Sequence, residues 1–547
     1  MHDLRTMRNL WTAAIVLVAA CSGAEAVDSP PTLEIFTPER GAFGDGGTVT
    51  VTGRVTDDHP ARITLNTLEV TVQPDGSFSS TIQVPDGITI LETHAIDTAG
   101  NDVRDVRAVL AGTLALSDGS VSSKIGARLG KDGIHTVGNA LATSAEAIDF
   151  TAAAKALNPV YDNGGCLGAK VDITSVSISN IDVALVPKAD AIDTTVALSN
   201  VVVTMHAAFK VACIGGSTTI TVRSSKATIR DDLGARLVLG KVQTSLPSPT
   251  VTLAGFSVDV GGVPGAIEDL LKGQARSGAE SALTSAIKSK VPPLADAALT
   301  TLIAKPLDTK LLGHDLSIGI TPSKLAITDT GLAVTADTTL TLAGGEGGTY
   351  ASTPMPINTI VQDTPNLGAL IADDVANQLF AALWSAGAFD LSLSAEAAGP
   401  VAALLDDDVR TIDVRLSLPP TVTARDTLEL AVGDVIITGR DASGAEVQSF
   451  ALSIRTTLTA APSGGKLTLT TTTPTVFAQV LAQSAAVDNP LEASQLEGIV
   501  TSVWGLVDGK INDALVKLPM PTVASLTLEA PTVTGHSGYL VLDAGLR

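Results

Sequence analysis

The chain of 547 residues has three thiols, Cys21, Cys166 and Cys213, and each has a definite chemistry open to it. Cys21 ends an apolar run, Leu10–Ala20, that follows a polar start with Arg5 and Arg8. There the thiol can take a diacylglyceryl group, and the amine freed by cleavage before it can be acylated. Cys166 and Cys213 stand 47 positions apart (213 − 166) and are expected to pair in an exported chain. A bridge closing that loop stabilises by at most about 4 kcal/mol in the chain-entropy account. Two buried free thiols are the other reading of the same pair.

The other reactive side chains do not assemble. The histidines (His2, His59, His94, His135, His206, His314 and His536) are scattered, with no pair at metal-ligand spacing. Gly535-His536-Ser537-Gly538 has the wrong spacing for a nucleophile elbow. Gly344-Gly345-Glu346-Gly347-Gly348 reads as a flexible linker and not as a phosphate-cradling loop. Asp97, Asn101 and Asp102 offer oxygen ligands for Ca²⁺ in one loop, but turn acids of this kind are more often solvated. Asp406-Asp407-Asp408 reads as a solvated turn before a strand. The expectation is a protein that is not an enzyme, with no catalytic residue, no metal and no cofactor.

The elements around these residues set the address and the architecture. The run Leu10–Ala20 is too short to cross a bilayer core of roughly 30 Å as a helix. Val18-Ala19-Ala20-Cys21 resembles the lipobox of bacterial lipoproteins, which implies a signal peptide over 1–20 and lipid attachment at Cys21. An ordinary secretory signal cut elsewhere is the alternative, and Met7 is an equally good start. Ser22 stands where inner-membrane lipoproteins carry Asp, so the resemblance implies an outer-membrane lipoprotein, facing either the periplasm or the surface. A net charge of −22 excludes nucleic acid as a partner and excludes a basic membrane-binding patch. Hydrophobic residues make up 45%, yet aromatics are only 3%, so apolar volume comes from Val, Leu, Ile and Ala, with Thr and Ser abundant. That mixture suits half-buried strands.

A tether over 21–31 leads to short alternating runs over 32–112. They include Thr48-Val49-Thr50-Val51-Thr52 and the turns Pro74-Asp75-Gly76-Ser77 and Thr98-Ala99-Gly100-Asn101. About seven such strands in this span predict a β-sandwich. Their order resembles the bacterial immunoglobulin-like modules. Beyond Leu116, a helical stretch with glycine interruptions is expected over Ser123–Leu157. Strands are expected at Lys170–Ser179, Ile181–Pro187, Asp193–Lys210, Thr218–Ile229 and Ala235–Val242. A helix over Val263–Val291 has apolar residues at every fourth position, so its stripe drifts by about 40° per step. Strands at Leu316–Ile327 and Leu332–Ala343 precede a Pro-rich linker over 351–366. A helix over Leu367–Gly387, further strands, a helix over Leu491–Leu518 and a terminal strand pair follow. The order of helix and long strands is read as an internal duplication.

The stretch from Thr353 to Gly387 (TPMPINTIVQDTPNLGALIADDVANQLFAALWSAG) and the ending LPMPTVASLTLEAPTVTGHSGYLVLDAGL resemble the bactericidal/permeability-increasing and lipopolysaccharide-binding protein family. The resemblance implies an α+β fold of tandem tubular lipid-binding (TULIP) modules, 113–350 and 367–547, each a long helix wrapped by a twisted antiparallel sheet. It also implies acyl chains held in apolar grooves between helix and sheet. The lining expected is Ile267, Leu271, Leu283 and Ile287 in the first module, and Ile371, Val375, Leu379, Val503, Leu506 and Val507 in the second. The partner implied is a phospholipid or other acyl lipid, with the membrane reached by the anchor at Cys21. Relatives that neutralise endotoxin present a Lys/Arg-rich tip, whereas this chain is acidic, so no headgroup contact is carried over. A surface adhesion or scaffold lipoprotein with filled cores and no lipid cargo is the alternative.

Overall fold

The computed structural model describes residues 29–547 except 45, 60, 113, 118–119, 264, 303–305, 346, 351–365, 399–404, 464–465, 486, 488–489, 502–503 and 505–525. The leader 1–20, Cys21, most of the tether, the linker 351–365 and all but 491–501 and 504 of the expected helix Leu491–Leu518 therefore lie outside the described residues.

Eight strands come first: β1 (Thr32–Thr37), β2 (Ala42–Gly44), β3 (Gly47–Thr56), β4 (Arg62–Leu65), β5 (Leu68–Val70), β6 (Ser77–Val84), β7 (Gly87–Ile96) and β8 (Asp102–Ala111). They form a three-stranded sheet, β1-β3-β6, and a five-stranded sheet, β2-β8-β7-β4-β5, the immunoglobulin-like arrangement. The chain divides into two compact units. The first holds residues up to Thr37 with Val51–Ser80 and Glu92–Asp105. Its buried side chains include Val51, Val55, Ile63, Leu65 and Phe78. On its surface His94 Nδ1 lies 3.0 Å from Asp102, and Arg104 Nη1 lies 3.0 Å from Glu92. Asp97 accepts from the backbone N–H (2.8 Å) and the side chain (2.7 Å) of Asn101, so its oxygens close the turn.

The second unit holds Pro38–Thr50, Thr81–Leu91 and everything from Val106 on. Here β9 (Leu114–Ser117) and β10 (Ser120–Gly130) lead to the helices α1 (Lys131–Ala145) and α2 (Phe150–Lys155). Next come β11 (Tyr161–Asn163), β12 (Ala169–Ser177), β13 (Asn180–Lys188), β14 (Ala191–Val211), β15 (Ile214–Val238), β16 (Lys241–Ser245), β17 (Thr250–Ala254) and β18 (Ser257–Val260), all in one eight-stranded sheet. β14 and β15 form its spine, paired from Ile192↔Leu233 to Val211↔Ile214. Val196 and Leu198 face the core, and after Asn200 (φ +52°) the buried set shifts to Val201, Val203, Met205 and Ala207. Asn tolerates the left-handed region, so one residue there resets the two-residue alternation.

Helix α3 (Gly265–Thr300) lies against this sheet and buries Leu271, Ala275, Ala279, Leu283 and Ile287, the four-residue series of the sequence. It continues through Pro292 and Pro293, past the expected end at Val291. α1 packs on β13 through Gly138, where a Cβ would stand 2.8 Å from the Val183 carbonyl oxygen. The glycine that weakens the helix by roughly 1 kcal/mol thus allows the close approach.

The remaining strands are β19 (Leu307–Leu311), β20 (His314–Thr328), β21 (Gly331–Leu342), β22 (Gly347–Tyr350) and β23 (Leu367–Ala372). After the helix α4 (Asp373–Ser385) come β24 (Leu391–Ser394), the single turn α5 (Ala395–Ala398), β25 (Thr411–Leu416), β26 (Thr421–Ala424), β27 (Leu428–Arg440), β28 (Glu446–Ser463), β29 (Lys466–Thr471), β30 (Thr475–Gln483), β31 (Leu528–His536) and β32 (Tyr539–Leu546). A seven-stranded sheet, β19-β20-β21-β10-β23-β32-β31, draws strands from both halves of the sequence. A further sheet is built on β25, β27 and β28.

The α+β reading, with tandem TULIP modules of long helices wrapped by sheets, is overturned. The chain is mainly β: strands run to β32, whereas the assigned helices other than α3 have 15 residues or fewer. The expected helix Ser123–Leu157 begins as strand β10, and only Lys131–Ala145 and Phe150–Lys155 are helical. The expected helix Leu367–Gly387 begins as strand β23, which leaves 13 residues for α4. The physical reason is that β10 and β23 pair with each other, from Ile125↔Ile371 to Leu129↔Leu367, so both are committed to the ladder.

Candidate functional site

A concavity in the second unit lies between the segment running into α2 and the flank of α3. It has a volume of about 670 Å³. Asp149 caps α2, accepting from Ala152 N–H at 2.8 Å, while Phe150 and Ala154 turn into the core. The helix is clipped to β12 at both ends. Val176 N–H donates to Thr151 Oγ1, which donates to the Val176 carbonyl, each at 3.0 Å. Beyond α2, Asn158 Nδ2 donates to the Ile173 carbonyl (2.9 Å) and Asn158 Oδ1 accepts from Ile173 N–H (2.7 Å).

These clips fix a floor of half-buried aliphatic side chains, Ile148, Ala153 and Leu157, with Ala147, Ala152 and Ala156 at the edge. The far wall is α3, which presents Ser285, Ser289 and Lys290. Lys290 is exposed and is the one cation of the lining. Small side chains leave the groove wide, and its size falls within the range of small-molecule sites. Asp149 is committed to its cap, and among the described residues no group of three His, Cys, Asp or Glu side chains is placed to hold a metal. The arrangement, an aliphatic floor facing a polar wall with one cation, can bind an amphiphile.

The residues singled out in the sequence fall in several places. Cys166 and Cys213 are joined as a disulfide. Ile267, Leu271, Leu283 and Ile287 are buried in the main core, with exposures of 5% or less. A small apolar void of about 20 Å³, room for about one water, is lined in that core by Leu129, Val137, Leu185 and Leu299 among others. In the second half, Ile371 on β23 is 38% exposed, Val375 is half-buried on α4, and Leu379 packs with Leu316, Leu340 and Leu342. Cys21, Val503, Leu506 and Val507 lie outside the described residues. The groove itself was not legible in the sequence: alanines carry no periodic signal, and its walls are some 130 positions apart (285 − 153 = 132).

Comparison with known proteins adds the following. Residues 31–113 match the family model of glucodextranase, domain B, over the immunoglobulin-like module. No curated protein matches the chain. Among solved structures, lipopolysaccharide binding protein is similar over 78% of this chain and 99% of its own, at 13% identity and a TM-score of 0.43. P47 of Clostridium botulinum E1 is similar over 78% and 100%, at 8% identity and a TM-score of 0.26. The Bacteroides ovatus SGBP-B from a mixed-linkage glucan utilization locus is similar over 42% and 62%, at 10% identity and a TM-score of 0.13. Likenesses this distant leave the function to be argued from the chain's own geometry.

Proposed function

We propose that this chain is a non-enzymatic lipid-binding lipoprotein, anchored at the bacterial outer membrane through Cys21, that takes an acyl chain into the groove between α2 and α3. The groove of about 670 Å³ with its aliphatic floor carries the reading. Each methylene removed from water contributes about 0.8 kcal/mol, so half a dozen on Ile148, Ala153 and Leu157 supply roughly 5 kcal/mol. Ser285, Ser289 and Lys290 on the far wall suit the polar end of the same molecule. The anchor would keep an acidic protein beside the membrane that supplies the lipid.

Native mass spectrometry of protein extracted from membranes tests this, compared with Ala153→Trp, whose indole fills the groove. A co-purifying acyl lipid in the wild type, reduced at least tenfold in the variant, is the expected result. No lipid in any preparation, or equal occupancy in Ala153→Trp, refutes it.

One observation favours a second reading, a scaffold or adhesion lipoprotein without cargo. The core between α3 and the sheet is filled, with Leu271, Leu283 and Ile287 no more than 1% exposed. On that reading the groove is an incidental surface feature and no preparation carries lipid.

A further inference from the structure

The far end of the β14–β15 hairpin carries an arrangement that lipid uptake does not require. Its two-residue turn is Ala212-Cys213, with φ of +49° and +66°. Asn-Gly is the usual solution for that conformation, because a Cβ is disfavoured there. Cys213 is bonded to Cys166, and its N–H donates to the Cys166 carbonyl at 3.2 Å. The β12–β14 ladder reaches Ala169↔Phe209, and Lys210 N–H donates to the Gly168 carbonyl at 2.8 Å. The tip is therefore pinned by main-chain bonds and by a covalent bridge.

On this pinned tip, Leu167 and Ile214, each following a bridged cysteine, are 68% and 76% exposed. The space around Gly164, Gly165 and Gly215 is open. The segments 163–170 and 208–219 contain no Asp or Glu, and their only charged residues are Lys170 and Lys210. In a chain of net charge −22, an end whose nearest acid is Asp162, opposite Lys170 in the β11–β12 ladder, and which carries two outward aliphatic side chains is a local exception.

We infer that this tip docks on a lipid bilayer, with Leu167 and Ile214 entering the boundary between headgroups and acyl chains. Charge selects that occupant. An acidic protein is repelled least by an anionic membrane surface where acids are few and lysines flank the contact, as Lys170 and Lys210 do here beside the single acid Asp162. Size points the same way: two projecting side chains are far short of the roughly 800 Å² per partner of a specific protein interface, but a fluid apolar layer accepts them singly. The disulfide holds the tip ordered before contact, so insertion carries no folding cost. This inference does not depend on the groove.

Flotation of the mature chain beginning at Ser22, which has neither the apolar leader nor an acyl anchor, with neutral phosphatidylcholine vesicles tests it. Co-flotation is expected, with a drop of roughly tenfold or more in the L167D/I214D variant and smaller losses for Leu167→Ser and Ile214→Ser singly. Leu239→Asp is the control, since Leu239 is 98% exposed at the β15–β16 turn and should leave partitioning unchanged. The inference is overturned if the chain does not float with neutral vesicles or if Leu239→Asp loses as much as the tip variants. It is also overturned if binding to anionic vesicles vanishes with Lys170→Ala and Lys210→Ala while L167D/I214D leaves it unchanged.

Discussion

Asp434 on β27 allows a sharp prediction about what holds the second unit together. It is 1% exposed and sits at φ +46°, a conformation that Asp tolerates better than most residues. Its Oδ1 accepts from Arg40 Nη1 at 2.9 Å, and its Oδ2 accepts from Ala108 N–H at 3.0 Å and Gly41 N–H at 3.3 Å. Its own N–H donates to Ser453 Oγ at 3.0 Å. Around it, Ile88, Val106, Ala108 and Leu110 share a core with Leu418 and Ala431. Asp434→Ala strips the carboxylate from the buried Ala108 N–H, at about 1–3 kcal/mol when orphaned, and from the part-buried Gly41 N–H, at the lower end of that range. Arg40 keeps its bond to the Val106 carbonyl and is 20% exposed, so it adds less than a fully buried cation would. The total is about 3–5 kcal/mol. Hydrogen exchange at Gly41 and Ala108 should then quicken by roughly 10²–10³-fold, at about 1.4 kcal/mol per factor of ten.

The pH dependence gives a second arm. Burial raises the Asp434 carboxyl above its ordinary 3.8, against the opposing pull of Arg40 and the two N–H donors. A raised native value means that the carboxyl's stabilisation is complete below the unfolded value and is lost as pH climbs through the native one. Asp434→Asn imitates the protonated acid, with one acceptor and one donor end. The stability advantage of wild type over Asp434→Asn should therefore shrink between pH 4 and pH 7. An advantage that grows over that range would show that Arg40 outweighs burial and would refute the reasoning.

Two further tests concern what positions the groove and the tip. Replacing both Cys166 and Cys213 by Ala opens a loop of 47 residues and should lower stability by up to about 4 kcal/mol, read from urea denaturation; a change below about 1 kcal/mol would mean that the β12–β14 ladder alone holds that end. Asn158→Ala removes both bonds to Ile173 and should cost about 1–3 kcal/mol, with exchange quickening in 150–157 while β14 amides stay protected; no change there would show that Thr151 alone clips α2.

Much of the first half was legible because its side chains alternate. The expected strands at Lys170–Ser179, Ile181–Pro187 and Asp193–Lys210 correspond to β12, β13 and β14 within a few residues. The break expected between Thr218–Ile229 and Ala235–Val242 is absent, because β15 runs unbroken from Ile214 to Val238. β14 pairs with Asp231 and Asp232, and β16 pairs with Gly234, so the ladder carries the strand through them. The acids are also used: Asp232 binds Lys188 at 2.6 Å, and Asp231 accepts from Ser248 N–H at 2.8 Å.

The other failures are strands read as helices. Apolar residues four positions apart satisfy a helix and also a strand, since four is two strand repeats as well as about one helical turn. Ile125 and Leu129 were read with the helical period, yet Ala127 between them is 3% exposed and belongs to the same face. A small residue at the intermediate position hid a two-residue alternation. In β23 the adjacent Leu370 and Ile371 both fit one helical face but are 4% and 38% exposed, and together the two errors produced an α+β expectation for a chain that is mainly β. In α3 the positions midway in the four-residue series are Asp269, Gly273, Ser277, Ser281, Ser285 and Ser289, none of them an apolar strand residue, so no two-residue alternation competes, and there the helix formed where expected. In a chain this rich in Ala, what identifies a helix is therefore what stands midway between the apolar positions, Ser and Gly in α3 against Ala127 in β10, more than the spacing of those positions.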